Sequence, residues 1–142
     1  MTVFKFHRAL TVRVNDLNYG NHVGHQNFFS YFQEARVAYL NQFGYSELDL
    51  GGCGMILAEA GCKYKQALFL NDKVRVACAV TELKSKRFTM TYLIERDGTV
   101  CAEGFTINLG FDYQTDRVVR LPEAFNRRIE AFEGLGVHKN KT

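Results

Sequence analysis

The run QNFFSYFQEARVAYLNQF, residues 26–43, limits what this chain can fold into more than any other stretch. Its spacing predicts a helix from Gln26 to Phe43, with Gly20 and Gly24 breaking the pattern before it and Gly44 closing it. A helix lying on a protein surface shows one apolar stripe. Here Phe28, Phe29, Tyr31, Phe32, Ala35, Val37, Ala38, Tyr39, Leu40 and Phe43 cover most of the circumference, so the helix is expected to be largely enclosed. The rest of the chain offers the cover. VFKFHRALTVRVN alternates like a half-buried strand, and after GGCG come four strand candidates: MILAEAGCKYKQAL, DKVRVACAVTEL, RFTMTYLIER and TVCAEGFTINLGFDYQ. Asp97-Gly98 predicts a tight hairpin between the last two. A short strand RVVRL follows, then Pro122 opens an amphipathic helix, PEAFNRRIEAF. One strand, one enclosed helix and an antiparallel meander give an α+β domain whose sheet curls around the helix.

Composition narrows the classes. At 142 residues and 46% hydrophobic side chains, the chain suits one domain over residues 1–142, with residues 134–142 expected as a flexible tail. A net charge of +3, with Lys and Arg interleaved among Asp and Glu, does not point to nucleic acid. No apolar run is long enough to span a membrane and MTVFKFHRAL lacks a signal-peptide core, so a cytoplasmic protein is expected. Cys53, Cys62, Cys78 and Cys101 are widely spaced with no metal-ligand pattern, which predicts reduced thiols serving as small hydrophobes and no metal site.

The richest stretch in chemistry is NDLNYGNHVGHQNFF, residues 15–29. Asp16, Leu17, Asn18, Tyr19, Gly20, Asn21, His22, Val23, Gly24, His25, Gln26, Asn27 and Phe28 resemble the signature D-x-D-x-x-G-x-V-x-[YPH]-x-N-[YF] of the hotdog-fold acyl-CoA thioesterases, and the helix after it contains a similar E-A-R. The likeness is to the 4-hydroxybenzoyl-CoA and Tol-Pal-associated branches, and the later strands resemble that family's second half. The resemblance implies a hotdog fold, in which an antiparallel sheet wraps a long central helix and a short C-terminal helix follows. It implies hydrolysis of an acyl-CoA or acyl-carrier-protein thioester without a cofactor. It also implies a homodimer joined sheet edge to sheet edge, or a dimer of such dimers.

One position departs from the pattern. The family's catalytic carboxylate falls on Asn18, and an amide is neither nucleophile nor general base. Glu34 is the leading replacement, because an ionised group among aromatic neighbours needs a partner or a task. Its place nine residues after His25 resembles the phenylacetate-type branch, with the partner loop coming from a second protomer. The polar stripe Asn27, Tyr31, Glu34, Ala38 and Asn41 suits a wet interface, while pairing of Glu34 with Arg13, Arg36 or another base is the structural alternative. Asp16 is the other candidate carboxylate, with an Asx-turn or cap acceptor as its structural alternative.

Asn18 and His25 are expected to bind the carbonyl or orient water, Gly24 to open the backbone to substrate, and His22 to rank behind His25. Gly24 has the alternative task of a turn that requires positive φ. Lys63, Lys65, Lys84, Lys86 and Arg87 are candidates for the phosphates of CoA, the last three as a basic hairpin connection expected at the mouth of the site. A hotdog-fold enoyl-CoA hydratase or dehydratase, and a non-catalytic acyl-CoA binding module, are the competing readings.

Overall fold

The computed structural model describes residues 2–135. β1 (Phe6–Thr11) leads through a 3-10 turn at Val14–Asp16 into α1 (His25–Asn41); β2 (Gly54–Tyr64), β3 (Lys73–Leu83), β4 (Arg87–Arg96), β5 (Thr99–Asp112), β6 (Arg117–Val118) and α2 (Glu123–Glu133) follow. The strands form one antiparallel sheet in the order β1-β3-β4-β5-β2, with β6 paired to β5. Its two open edges are therefore β1 and β2.

The sheet wraps α1 as its aromatic content required. Phe32 stacks on Tyr92 of β4 with ring centroids 4.5 Å apart and planes 14° from parallel. Gly104 of β5 makes this approach possible, because a Cβ there would collide with the Phe32 ring. Phe28, Ala35 and Tyr39 continue the buried row, and α2 closes one end with Phe125 and Ile129. Truncating a ring of this kind, as in Phe32→Ala, costs about 3–5 kcal/mol.

The helix is not enclosed all round. Gln26, Ser30, Gln33 and Asn41 are exposed and Val37 is half-buried, so the sheet covers one side and leaves a stripe open. Nor is the row at Asn27, Tyr31, Glu34, Ala38 and Asn41 a wet face: Tyr31 is fully buried and only Asn41 is exposed. The Tyr31 hydroxyl turns inward to a carboxylate, which lets a polar residue sit in the core. α1 ends at Asn41, two residues short of the expected Phe43, and the second strand ends at Tyr64 rather than running to Leu68. Of the expected tail, Gly134 caps α2 with φ 73° and Leu135 packs on the core; residues 136–142 lie outside the described residues. No helix among the described residues is long and apolar enough to cross a membrane.

Candidate active site

The loop from Asp16 to α1 is built around one buried carboxylate. Asp16 Oδ2 accepts the Arg13 backbone N–H at 2.9 Å and the Tyr31 hydroxyl at 2.8 Å, and Oδ1 accepts Asn27 Nδ2 at 3.3 Å. The Arg13 guanidinium lies 3.5 Å away. Burial favours the neutral acid, but these donors and the Arg13 charge outweigh it and hold the carboxyl below its ordinary value. The opposite consequence falls on Tyr31, whose hydroxyl is pushed well above its usual range by burial and by the Asp16 carboxylate. Asp16 thus accepts as a cap of the 3-10 turn, from the N–H three residues before it, and not as an Asx-turn acceptor.

Above it the chain closes a second small turn. Asn18 N–H donates to His22 O at 2.9 Å, Asn18 Oδ1 accepts Gly20 N–H at 3.0 Å, and Asn21 takes φ 62°. The left-handed residue is therefore Asn21, which tolerates it, while Gly24 is extended at φ −67° and serves as N-cap of α1. The Gly24 N–H is already committed to Asp16 O at 3.1 Å. The donors left over are the backbone N–H groups of His25 and Gln26, which precede any intrahelical acceptor and have none among the described residues.

Of the two, His25 borders a cleft of about 330 Å³ lined by Asn18, His22, Val23, His25, Phe28, Tyr64, Lys65, Gln66 and Ala67. Tyr64, at the end of β2, donates its hydroxyl to His25 O at 3.2 Å and packs its ring edge-on against Phe28 at 5.0 Å. His22 Nδ1 lies 3.3 Å from Val23 O, which suits the Nδ1–H tautomer and leaves Nε2 as an acceptor. The structure thus gathers Asn18, His22, His25 and Lys65 around one cavity. Tyr64 and Gln66 join them, although as strand and crossover residues they carried no distinguishing signal in sequence.

Other expected residues sit elsewhere. Glu34 Oε1 accepts from Arg13 Nη2 at 3.5 Å and Oε2 lies 3.8 Å from Arg8 Nε, so it faces β1 rather than the cleft of its own chain. Lys63 pairs in register with Glu103 on the sheet face opposite α1, and Lys65 Nζ reaches Glu103 Oε2 at 2.9 Å. Lys84, Lys86 and Arg87 lie at the far end of the sheet within one chain. Arg87 is opposite Leu109 whereas Tyr64 is opposite Ala102, a run along β5 of roughly 23 Å. Cys78 and Cys101 are buried, and Cys53 and Cys62 half-buried, all as free thiols.

A second cavity of about 310 Å³ opens at the other end of β2, where Gln33, Arg36 and Glu47 meet Met55, Leu57 and Tyr113. Arg36 is 5% exposed. Its Nε donates to Glu47 Oε2 at 2.7 Å and its Nη1 to Tyr92 Oη at 3.1 Å, while Gln33 Nε2 donates to Glu47 Oε1 at 3.2 Å. The carboxylate paired with Arg36 is therefore Glu47, while Glu34 pairs with Arg13 and Arg8.

The cleft offers hydrogen-bond donors beside an apolar wall and, among the described residues, no carboxylate. It can hold a polarised carbonyl and a water, but one chain gives it no acidic base.

Known proteins share this architecture. Residues 12–129 match the family described as the thioesterase-like superfamily. A protein of Aquifex aeolicus (strain VF5) named "Putative esterase" is 35% identical over 86 residues, 59% of this chain and 67% of that protein. The solved thioesterase from Thermus thermophilus, complexed with coenzyme A and Zn, is 28% identical, with a TM-score of 0.84 over 96% of this chain and 100% of its own. The DHNA-CoA thioesterase from Staphylococcus aureus shares the fold at 20% identity, with a TM-score of 0.82 over 96% of this chain and 98% of its own. The chain belongs to the thioesterase-like superfamily and is a hotdog-fold thioester hydrolase.

Proposed function

We propose that the chain hydrolyses an acyl-CoA thioester in the cleft at the head of α1. The observation that carries this reading is the uncommitted N–H group of His25 at that cleft, with the uncommitted N–H of Gln26 next to it on the first turn of α1. Attack of water on a thioester carbonyl places negative charge on its oxygen, and preorganised donors at a helix N-terminus stabilise that charge. Loss of one such donor is worth about 10²–10³ in kcat. The side chains of Asn18 and His25 border the same space and are suited to hold the carbonyl or the water. Val23, Phe28 and Tyr64 offer the acyl group an apolar wall, and Lys65 stands at the rim for a phosphate. A carrier-protein thioester is the other form of the same chemistry; CoA in the related Thermus structure favours the small-molecule carrier.

The site is completed by a second copy of the chain in this reading. β2 is an 11-residue strand paired on one side only, with Leu57 and Tyr64 exposed along it and Leu48 beside it. A long apolar open edge is a template for another strand. Antiparallel pairing of two β2 strands would form a homodimer, and a dimer of such dimers would use other faces. It would also bring the second copy's Lys84, Lys86 and Arg87 to the Tyr64 end. Glu34 lies on the β1 side of α1, and in this reading it holds Arg13 and the loop.

A hydratase on this fold would draw its acid from Asp16, which accepts three hydrogen bonds and lies outside the cleft. The missing carboxylate does favour a binding module as second reading. A thiol-release screen over acyl-CoA chain lengths, run beside enoyl-CoA hydration, separates the three. Thiol release is expected; hydration alone would establish the hydratase, and tight acyl-CoA binding with neither would establish the binding module.

A further inference from the structure

We infer that Glu47 of a second copy is the carboxylate that the cleft lacks, held in place by Arg36 and Gln33. The inference rests on the thioesterase reading and on β2-to-β2 pairing. Register with β5 fixes the faces. Gly104 looks onto Phe32, so its partner Cys62 points to the α1 side, and by alternation so does Tyr64. Met55 and Leu57, opposite Gly110 and Asn108, point to that side as well, with a bulge between Leu57 and Glu59 taking up one residue. Cleft and Glu47 cavity therefore lie on one face of the sheet, at opposite ends of the same open strand.

An antiparallel pair of identical strands has a two-fold axis across its middle, so each Tyr64 end meets the other copy's Met55 end. The donors of one chain then face the Gln33, Arg36 and Glu47 cluster of the other. Helix geometry agrees. Gln33 and Glu34 stand about 100° apart around α1, and it is Gln33 that turns toward β2 while Glu34 turns toward β1.

The cluster has the form of a positioned base. Arg36 is anchored in the core through Tyr92, which in turn hydrogen-bonds Thr106 Oγ1 at 2.7 Å. Glu47 is thereby fixed at one oxygen by Arg36 and at the other by Gln33, and each oxygen keeps a free lone pair. The proton balance closes. Water attacks the carbonyl carbon and gives its proton to Glu47 while the carbonyl oxygen takes the negative charge at the His25 and Gln26 N–H groups. Collapse of that oxyanion breaks the C–S bond, and the thiolate leaves with the proton from Glu47.

The test is a pair of inactive variants. Glu47→Gln keeps the contacts to Arg36 and Gln33 but cannot take a proton, so thiol release should fall by about a hundredfold or more while acyl-CoA binding persists. His25→Pro removes the N–H of the first helical residue, a position where proline is tolerated and the residue before it is already extended, and so disables the donor side. Random reassortment of the two should restore about one quarter of wild-type activity, since half of the dimers are mixed and each mixed dimer holds one intact site. If Glu47→Gln does not fold, Arg36→Met combined with Glu47→Gln removes the stranded charge along with its partner, and the inactivity and the rescue should both remain. Near-wild-type turnover by either Glu47 variant, or failure of the mixture to regain activity, would overturn the inference while leaving the thioesterase reading intact. Absence of thiol release from the wild-type chain would instead overturn that reading.

Discussion

At the Tyr64 end of β2 the polar groups sit on a loop, and the charge that shapes them, Asp16, is spent on holding that loop together. At the Met55 end the polar groups sit on α1 and the segment just after it, and their carboxylate, Glu47, is tied at both oxygens yet borders a cavity. The difference teaches how to read a buried acid. Asp16 accepts one hydrogen bond from its own turn and two from α1 and lines neither cavity, so it ties the loop to the helix. Glu47 is anchored from below and open from above, which is what a reacting group requires.

The largest effect on that contrast should come from Asp16→Ala. It strands the buried Tyr31 hydroxyl and the Arg13 N–H, and an orphaned donor costs about 1–3 kcal/mol. A loss of roughly 3 kcal/mol in chemical denaturation is expected, together with loss of turnover because Asn27 and Tyr31 in the first half of α1 lose their acceptor. Wild-type stability would place the loop's support elsewhere.

Next comes Asn18. Asn18→Ala should lower kcat by one to two orders of magnitude, about the scale of a positioned polar group, and cost at most about 1 kcal/mol through the Gly20 turn contact. Asn18→Asp sharpens the comparison further. A gain of turnover would show that the loop end can supply its own carboxylate, making the Glu47 end dispensable.

Acid titration reads the Asp16 end. The Asp16 carboxyl is held below its ordinary value of 3.8 in the folded chain, so it contributes stability that is fully present above that value. As pH falls the unfolded chain takes up its proton first, and the contribution is lost as pH passes below 3.8 through the lower folded value. Denaturation midpoints followed downward from neutral pH should show this decline, and Asp16→Asn should flatten it.

The smallest effect should be that of Glu34→Gln. Its ion pairs with Arg8 and Arg13 are partly exposed and worth at most about 1 kcal/mol, so turnover should fall by less than tenfold. A hundredfold loss would return the catalytic carboxylate to Glu34.

Much of this architecture was legible from sequence because it follows from period and turn chemistry. The aromatic content of α1 called for a wrapping sheet, Asp97-Gly98 marked the β4–β5 hairpin, and residues 16–28 marked the loop. Illegible were the features that depend on which way a side chain turns. Glu34 and Gln33 are neighbours in sequence, and only the crossing of α1 over the sheet decides that one meets Arg13 and the other Glu47. Glu47 lies in a short segment after the helix with no motif around it, so nothing in the sequence tied it to Arg36. The enclosed helix was overestimated for a related reason: Phe29 and Val37 are apolar but only half-buried, and an apolar residue left open by its own chain is indistinguishable in sequence from one in the core.

The account stands on a cleft shared between two copies of the chain. Sedimentation measured across a dilution series, with thiol release from an acyl-CoA followed in the same samples, tests this most directly. The account expects a two-chain or larger species whose dissociation takes activity with it. A monomer of 16.2 kDa that keeps full activity per chain would contradict it.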